Sequence, residues 1–410
     1  MLDSFFKIHD YLVSHSEAPI RRLLMDEIDW NDRLIAIKGG RGVGKTDFLL
    51  ARAKDIERQF SEAEADKYPK RSKKKASAVR PCLYVNFNNF YFTDHTLFDF
   101  AGAFVKAGGQ YLLLDQMFKY PNWSKELRQC YNRYKNLHII FTASPVMRLI
   151  EDNRDLSDIV KMYNLRGFSF REFLNLKTGL HLQPIPLETI IHSHASISRE
   201  ICETINPLNY FEAYLHHGYY PSFLENKSFE ETLLKTMNMM LEVDVLLIKQ
   251  IEVANLVKLR KLLYVMLNEA PATLNISNIS AAINTSRATT MNYIKYLQDA
   301  RLLNLLYMEG RTFPMKPSRV YIQNTNIAQT ITTRELTPQD IYETYFYNAI
   351  TSRHTINATE RNAMFIVDGK HYFDVYAERQ TADSIRPCAI GTLDIGKGNF
   401  IPLWLLGFLY

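Results

Sequence analysis

The sequence predicts an α/β fold in which helices cover both faces of a parallel sheet. Short apolar runs with strand character begin at Arg33, Cys82, Tyr111 and Leu137, and helical patterns separate them. Strands that alternate with helices form parallel sheets, because a connection between parallel strands has to cross the sheet. A glycine-rich segment lies directly between the first strand and the helix that follows it.

The composition indicates a folded chain with several domains. The chain has 410 residues, which is too long for one ordinary core and indicates about two to four domains. Hydrophobic residues make up 47% and charged residues 23%, which excludes an intrinsically disordered protein. The formal net charge of +5 permits contact with nucleic acid without requiring it.

Cysteine spacing and hydropathy indicate a cytoplasmic protein without a membrane partner. The four cysteines lie far apart and form no CxxC pair, so we expect reduced thiols rather than a zinc site or disulfides. No apolar stretch approaches the roughly 20 residues that a membrane span needs. The closing run Ile401–Tyr410 is shorter, and we expect it to pack in a core as a strand or helix.

The strands and helices can be bounded approximately from the pattern. We expect a helix over Thr46–Phe60 and an exposed charged loop over Ser61–Arg80. The basic run Lys70–Lys75 in this loop suits either nucleic-acid contact or plain solvation, and we favour solvation because such runs often arise by chance. The strands are expected at Arg33–Lys38, Cys82–Phe87, Tyr111–Asp115 and Leu137–Thr142.

The segment after the first strand has the G-x-x-x-x-G-K-[ST] pattern of a phosphate-binding loop, or P-loop. Its glycines let the backbone N–H groups point at one anion, and the following helix adds its positive N-terminal end. Lys45 can reach the β- and γ-phosphates of ATP, and the Thr46 hydroxyl can ligate Mg²⁺. The residues expected to bind the nucleotide are Gly39, Gly40, Arg41, Gly42, Val43, Gly44, Lys45, Thr46 and Asp47.

A P-loop requires an acidic residue on a second strand, and Leu112–Asp115 supplies one. Asp115 follows three buried leucines and is placed to hold Mg²⁺ together with Thr46. The next residue is Gln116, whose neutral amide can position water but cannot accept its proton. Thr142, at the end of the fourth strand, is placed either to sense the γ-phosphate or to act as a capping hydroxyl, and both alternatives stay open.

Beyond these motifs, the chain resembles prokaryotic AAA-family predicted ATPases that carry a winged helix and a C-terminal domain similar to restriction endonucleases. The resemblance includes the P-loop and Leu112–Asp115, and it extends to the closing run. The other segments that carry it are Lys119–Trp123, Phe141–Ser144 and Leu165–Phe173. It implies a P-loop ATPase domain at 1–165, a helical lid at 166–260, a winged helix at 261–330 and a small α+β nuclease-like domain at 331–410.

The chain departs from that family where hydrolysis would be promoted. The family usually has a carboxylate pair at Asn88-Asn89, Asp-Glu at Asp115-Gln116, and paired arginines at Asp158-Ile159. Such arginines commonly neutralise charge on the γ-phosphate. The departures favour slow or absent turnover, unless another residue such as Arg154 or Arg166 compensates.

The predicted winged helix contains a helix-turn-helix pattern. Ile279 and Ile283 are expected to face the core from the first helix, while Ser286 caps the second and Ile294 and Leu297 anchor it. The side chains expected to be more exposed, and able to meet phosphates or base edges, are Arg287, Thr290, Asn292 and Lys295. Residues 301–321 would form the wing. DNA contact and a packing role are equally open.

The tail is expected to have a helix carrying Glu343, a β-hairpin around Asp368-Gly369 and a final apolar element. In nucleases of the restriction-enzyme type, two acids bind the metal and a lysine follows. The resemblance places Met364, Asp374 and Glu378 at those positions, so one acid and the lysine are missing. We therefore expect an inactive tail in which Asp374 is a solvated strand residue.

Three function classes follow from these features. The favoured one is an ATP-binding, nucleotide-gated switch with little catalysis, and its alternative is an active ATPase that drives movement on DNA or a partner protein. A metal-dependent nuclease is disfavoured by the tail. The implied ligands are ATP and Mg²⁺, and the possible macromolecular partners are nucleic acid, another protein or a second copy of the chain.

Overall fold

A computed structural model describes residues 1–16, 19–67, 80–147, 149, 153–225, 228–247, 249–361, 363–378 and 385–410. The chain divides into two compact units. The first comprises Met1–Gly39 and Gly44–Leu165, and the second comprises Gly40–Val43 and Arg166–Tyr410. The basic run Lys70–Lys75 lies outside the described residues.

The first unit contains the parallel sheet that the sequence predicts. In the part of the chain that the structure describes, this sheet has five strands in the order β2-β3-β4-β1-β5, and every paired neighbour is parallel. The strands are β1 (Leu34–Lys38), β2 (Cys82–Asn86), β3 (Tyr111–Asp115), β4 (His138–Ala143) and β5 (Lys161–Asn164). The central three are buried nearly throughout because helices lie on the sheet faces.

Helices connect these strands, and one of them is longer than predicted. The helices are α1 (Leu2–His15), α2 (Leu24–Glu27), α3 (Lys45–Lys67), α4 (Leu97–Lys106) and α5 (Trp123–Arg133). The expectation of a loop from Ser61 was wrong for residues 61–67, which continue α3. Alanine and glutamate dominate that stretch, and their helix propensity outweighs the lack of apolar anchors.

The edge strand β5 was not predicted. Its residues are exposed or half-buried, so no apolar run marks it in the sequence. It forms by pairing with β1, where Ile35 lies opposite Lys161 and Lys38 lies opposite Asn164. Pairing to an existing sheet, rather than its own composition, therefore defines this strand.

The second unit is mainly helical up to residue 299. Its helices in this part are α6 (Phe170–Thr178), α7 (Leu187–Thr204), α8 (Leu208–Ala213), α9 (Phe229–Met239), α10 (Leu256–Glu269), α11 (Ile276–Ala282) and α12 (Arg287–Asp299). A two-stranded antiparallel sheet follows, formed by β6 (Leu303–Leu306) and β7 (Arg319–Ile322). Ile279, Ile283, Ile294 and Leu297 are buried, as expected from the pattern.

The rest of this unit contains two further α-helices and a second sheet. The helices are α13 (Thr325–Ile331) and α14 (Pro338–Ile350). Among the described residues the sheet has the order β12-β11-β10-β9-β8. Its strands are β8 (Ile356–Asn357), β9 (Phe365–Val367), β10 (His371–Tyr376), β11 (Cys388–Ile390) and β12 (Phe400–Pro402). The expected hairpin joins β9 to β10 through Asp368 and Gly369, at φ 51° and 69°.

One hydrophobic core joins the beginning and the end of the second unit. Phe170 and Phe173 of α6 pack in the same cluster as Phe346 of α14 and Trp404 of the closing run. The closing run forms the short helix Leu403–Phe408, and its side chains are buried as the sequence predicts. The tail is therefore held by the same apolar cluster as the first helices of this unit.

Candidate functional site

The loop Gly39–Thr46 follows β1 and leads into α3, which begins at Lys45. Gly42 and Gly44 have φ angles of 81° and 89°, in the left-handed region that disfavours residues with a Cβ atom. A loop with such turns can wrap its backbone around an anion, and the first N–H groups of the helix that follows have no partner within the helix. The loop geometry is that of an anion-binding site at a helix N-terminus.

Two side chains of the loop are held by contacts in the first unit. The Lys45 ammonium donates to the carbonyl oxygen of Gly39 at 2.8 Å, which turns the side chain back toward the start of the loop. The Thr46 hydroxyl donates to Oδ2 of Asp115 at 2.7 Å. The sequence-predicted partners of the metal, Thr46 and Asp115, are thus brought together at the ends of neighbouring elements.

Asp115 is the centre of the hydrogen-bond network. Its side chain is buried, and Oδ1 accepts from the Thr142 hydroxyl at 2.6 Å and from the Gln116 backbone N–H at 2.9 Å. Oδ2 accepts from Thr46 and from the Tyr84 hydroxyl, the latter at 2.9 Å. Four donors match the roughly four lone-pair sites of a carboxylate, so its hydrogen-bonding capacity is satisfied in this buried position.

Tyr84 is the member of this network that sequence reasoning missed. Burial raises the pKa of the Tyr84 hydroxyl, and the Asp115 carboxylate raises it further, so the side chain stays a neutral donor. The available signal was its position in the buried strand β2, which pairs directly with β3. A tyrosine in an otherwise aliphatic buried run needs a hydrogen-bond partner, and the nearby strand end supplies one.

Gln116 has an unusual backbone and an unsatisfied side chain. Its φ and ψ angles are 62° and 28°, in the left-handed region. The backbone N–H lies 3.0 Å from the Thr142 hydroxyl oxygen as well as near Asp115. Among the described residues, the buried side-chain Oε1 has no hydrogen-bond partner. A buried carbonyl oxygen of this kind can accept a hydrogen bond from water but cannot take a full proton at neutral pH.

The remaining loop residues have different surroundings. Val43 is buried, and Asp47 is exposed in the first turn of α3. Arg41, which the second unit includes, forms an ion pair with the buried Asp244, with Nε 2.9 Å from Oδ2. The structure therefore directs the Arg41 guanidinium to a carboxylate rather than into the loop.

The positions where the chain departs from the resembled family have local structural roles. The Asn89 side chain accepts from the N–H of Tyr91, and the N–H of Asn88 donates to the side chain of Asn86. Asp158 accepts a hydrogen bond from Arg128, which lowers the pKa of the Asp158 carboxyl. An exposed ion pair thus stands where the family usually has arginines.

The two proposed compensating arginines can also be located. Arg154 is exposed. Arg166 lies in the second unit and donates to the carbonyl oxygen of Asn348 at 3.2 Å and to that of Thr351. These contacts direct Arg166 to the C-terminal end of α14.

The exposed face expected for α12 is corrected at Thr290. This side chain is fully buried, because its hydroxyl donates to the carbonyl of Ser286 and lies 2.9 Å from the Ser280 hydroxyl. Arg287 and Asn292 are exposed as expected. Lys295 is half-buried and forms an ion pair with Asp299 at 2.8 Å. Helix α12 therefore exposes fewer side chains that could contact nucleic acid than the sequence predicted.

The tail acids are engaged in ion pairs. Glu343 is buried and pairs with Arg319 at 2.9 Å, and it also accepts from the Tyr321 hydroxyl. Asp374 was expected to be solvated, which is wrong: its side chain is 14% exposed and lies 3.3 Å from Arg386. Oδ1 of Asp374 also accepts from the Met364 N–H at 3.0 Å.

The other two tail positions offer no hard metal ligand beside Asp374. The Met364 sulfur lies 3.3 Å from the N–H of Val375 and acts as a weak acceptor. Glu378 is exposed in the bend that follows β10. In the described part of the tail, no three His, Cys, Asp or Glu side chains come close enough together to hold a metal ion.

A group with metal-ligand composition does occur in the first unit, at His9, Asp10 and Glu57. Nδ1 of His9 accepts from the N–H of Tyr84 at 2.9 Å, and Nε2 lies 3.0 Å from Glu57. Both ring nitrogens are thus occupied by protein groups. Arg80 pairs with Asp10 and lies 3.7 Å from Glu57. This arrangement is a structural ion-pair cluster.

Comparison with known proteins identifies the segment that carries the loop. Residues 31–174 match a family model described as an AAA domain. This segment is similar to AAA domains and contains the P-loop, in agreement with the resemblance seen in the sequence. The AAA family implies nucleotide binding, and the match includes every residue expected to bind nucleotide or metal. The winged helix and the nuclease-like tail stay predictions.

Other similarities are weaker. Residues 208–319 match a family described only as a domain of unknown function. An uncharacterized protein of Methanocaldococcus jannaschii is 23% identical over 335 residues, which cover 74% of this chain and 67% of that protein.

Solved structures align only loosely with the chain. The Aeropyrum pernix ORC1 protein in complex with DNA aligns at a TM-score of 0.31 and 12% identity, over 80% of this chain and 90% of that one. Thermotoga maritima RuvB aligns at a TM-score of 0.26 and 11% identity, over 74% and 89%. TM-scores this low support no conclusion about function. In the described residues, no helix is long and apolar enough to cross a membrane.

Proposed function

We propose that this chain binds ATP with Mg²⁺ at Gly39–Thr46 and hydrolyses it slowly or not at all, so that bound nucleotide acts as a switch. The observation that carries the proposal is the site around Asp115, in which the nucleotide-binding groups are present but the residue beside the acid is a neutral glutamine. The matched AAA domain supports the nucleotide-binding half.

The phosphates of ATP fit the loop on chemical grounds. The backbone N–H groups of the loop and the first turn of α3 are donors for phosphate oxygens, and the helix adds a partial positive charge at that end. Lys45 adds a full charge that can exchange its contact with the Gly39 carbonyl for a phosphate oxygen.

The oxygen set suits magnesium. Mg²⁺ prefers oxygen ligands, and Thr46 and Asp115 supply a hydroxyl and a carboxylate that already touch at 2.7 Å. When bound, the ion would neutralise charge on the β- and γ-phosphates. Thr46 is the direct ligand in this proposal, and Asp115 orients the metal's water molecules.

Slow turnover is expected because the residue that follows Asp115 is a glutamine. Gln116 can hold a water molecule through its unpaired Oε1, but it cannot remove the proton when that water attacks. Asp115 is occupied by four donors and is poorly placed to replace the missing base. Asp158 adds negative charge where the resembled family usually has arginines.

The alternative is an active ATPase that drives movement on DNA or on a partner protein. One observation favours a nucleic-acid partner: Arg287 is exposed at the start of α12, within the segment proposed as a winged helix. We further propose that the tail is an inactive nuclease-like domain, because Asp374 and Glu343 face arginines.

A phosphate-release assay with and without DNA tests the proposal. The parent protein should release phosphate slowly in both conditions, and Gln116→Glu should raise the rate by roughly tenfold or more, since a positioned acid–base group contributes about 10²–10⁴-fold. Gln110→Glu is the matched control, because Gln110 is exposed and should leave the rate unchanged. Brisk hydrolysis by the parent that Gln116→Glu does not alter would contradict slow turnover.

A further inference from the structure

A groove lies beside the start of α12. It is bordered by residues 273–277 at the start of α11, by Arg287 and Met291 of α12, and by Pro314 and Lys316 of the loop between β6 and β7. It encloses about 660 Å³, within the range of clefts that bind ligands. All of these residues belong to the second unit, and none lies in the segment that matches the AAA domain.

The groove carries positive charge that the protein does not balance. Arg287 and Lys316 are exposed, and in the part of the chain that the structure describes neither forms an ion pair or a side-chain hydrogen bond. None of the described residues that line the groove is an aspartate or a glutamate. By contrast, Lys295 of the same helix already pairs with Asp299 at 2.8 Å. Two cations without a carboxylate partner attract an anionic ligand into this cleft.

The other walls of the groove suit amino-acid side chains better than bases. Ile276 and Met291 are half-buried, and Pro314 is exposed. Methionine adapts its shape to different apolar partners, which makes it common at peptide-binding surfaces. The lining residues that the structure describes include no aromatic ring on which a base could stack. Two cations are also fewer than the row of phosphate contacts that holds a nucleic-acid backbone.

The backbone at Thr273 offers an open strand edge. The N–H of Ala272 donates to the carbonyl of Val320 at 3.1 Å, and the N–H of Val320 donates back at 2.9 Å. Because backbone groups alternate along a strand, the N–H and the carbonyl of Thr273 point away from β7. Within the described ranges, neither group forms a hydrogen bond. An extended peptide can pair with such an edge.

We propose that this groove binds an extended acidic segment of a partner protein. The carboxylates of the segment pair with Arg287 and Lys316, and its backbone pairs with Thr273. Its apolar side chains contact Met291 and Pro314. The alternative function above assigns Arg287 to nucleic acid, whereas the groove as a whole favours a peptide. This site goes beyond nucleotide binding and does not depend on it.

Selection from a random library of short peptides displayed on phage tests the occupant, with the full chain as the target. The peptides that the parent retains should be rich in aspartate and glutamate interleaved with apolar residues. The most enriched peptide, synthesised with a fluorescent label, should bind the parent saturably in an anisotropy titration. Its affinity should fall by roughly tenfold or more in the double variant Arg287→Met, Lys316→Met, because two charge-assisted contacts are lost.

Lys261→Met is the matched control, because Lys261 is an exposed cation of α10 that does not line the groove. This variant should bind the selected peptide like the parent. The control and the double variant should both melt at the temperature of the parent, since all three substituted side chains are exposed. A peptide affinity that falls only together with the melting temperature would show a structural role and overturn the inference.

Labelled single-stranded and duplex oligonucleotides of mixed sequence are the competing probes. If the selection yields no acidic peptides, the inference is wrong. It is equally wrong if the oligonucleotides bind the parent more tightly than the selected peptide does and lose that binding in the double variant, because the groove then takes nucleic acid. An acidic peptide that binds the double variant as tightly as the parent would place the peptide site elsewhere and overturn the assignment of this groove.

Discussion

Asp115 in the first unit and Asp374 in the second are both largely buried acids on strands of a sheet, yet their neighbours differ in kind. Asp115 is surrounded by hydroxyl groups and a backbone N–H, all of them neutral donors. Asp374 faces the guanidinium of Arg386 and the N–H of Met364. No cationic side chain pairs with Asp115 among these contacts, whereas Asp374 is paired with a guanidinium.

The comparison shows that a buried acid alone does not define a metal site. A carboxylate held by neutral donors attracts a hard cation, whereas a permanent guanidinium repels one. The side chain beside each acid adds to this difference. Thr46 offers a hydroxyl oxygen to the metal, whereas Met364 offers a thioether, which Mg²⁺ does not favour. The first unit should bind a metal with nucleotide, and the tail should bind none.

The largest effect is expected where the tail ion pair is broken. Asp374→Ala removes the carboxylate that faces the mostly buried Arg386, and it should lower the free energy of unfolding by about 3 kcal/mol, the low end for a broken buried pair. Urea unfolding measures this loss, with the exposed Glu378→Ala as the control that should change little.

The parent should leave plasmid and single-stranded DNA intact in Mg²⁺ or Mn²⁺. Cleavage that disappears in Asp374→Ala would show that the tail is a nuclease, and Asp374 would then be a metal-binding acid like the one proposed at Asp115.

A smaller loss is expected at Tyr84. Tyr84→Phe deletes one of the four donors to Asp115, and a hydrogen bond to a charged group contributes about 2 kcal/mol to stability. Chemical denaturation should show this loss. Tyr91→Phe is a suitable control, since its hydroxyl has no hydrogen bond among the described residues. An equal stability of Tyr84→Phe and the parent would mean that Asp115 does not depend on this donor.

Thr290 tests the corrected face of α12. Thr290→Val keeps the shape of the side chain but leaves the buried Ser280 hydroxyl without this partner, which should cost about 1 kcal/mol. DNA affinity should stay unchanged because the hydroxyl is inside the unit. Thermal unfolding and a DNA titration read the two effects separately. If Thr290→Val binds DNA more weakly and keeps the stability of the parent, Thr290 contacts DNA and the correction is wrong.

The smallest effect is expected at Arg287. Any binding to duplex DNA should be salt-sensitive and largely independent of sequence, and Arg287→Gln should reduce the slope of log K against log salt by about 0.9 for one lost phosphate contact. Fluorescence anisotropy of a labelled duplex at several salt concentrations gives the slope. Arg260→Gln is the control, because Arg260 already pairs with Glu242. Tight binding of one sequence that persists at high salt would contradict a weak electrostatic contact.

The sequence revealed the parts of the site that follow local rules. The loop, Thr46 and Asp115 were predictable because glycine spacing and a strand that ends in an acid are local patterns. Tyr84 and the pairing of Arg41 with Asp244 were not, because they join residues far apart in the chain. The strand β5 was missed since its polar residues are defined by pairing with β1. Thr290 was misplaced because a hydroxyl can be buried when another hydroxyl meets it.

Nucleotide binding at the P-loop is the property on which the proposed switch depends. Titration calorimetry of Mg-ATP should show saturable binding to the parent, and Lys45→Ala should weaken it at least tenfold, which corresponds to about 1.4 kcal/mol. Lys106→Ala, at the exposed end of α4, should bind like the parent. Equal affinity in Lys45→Ala and the parent, or no binding by the parent, would contradict the assignment of this loop as the nucleotide site.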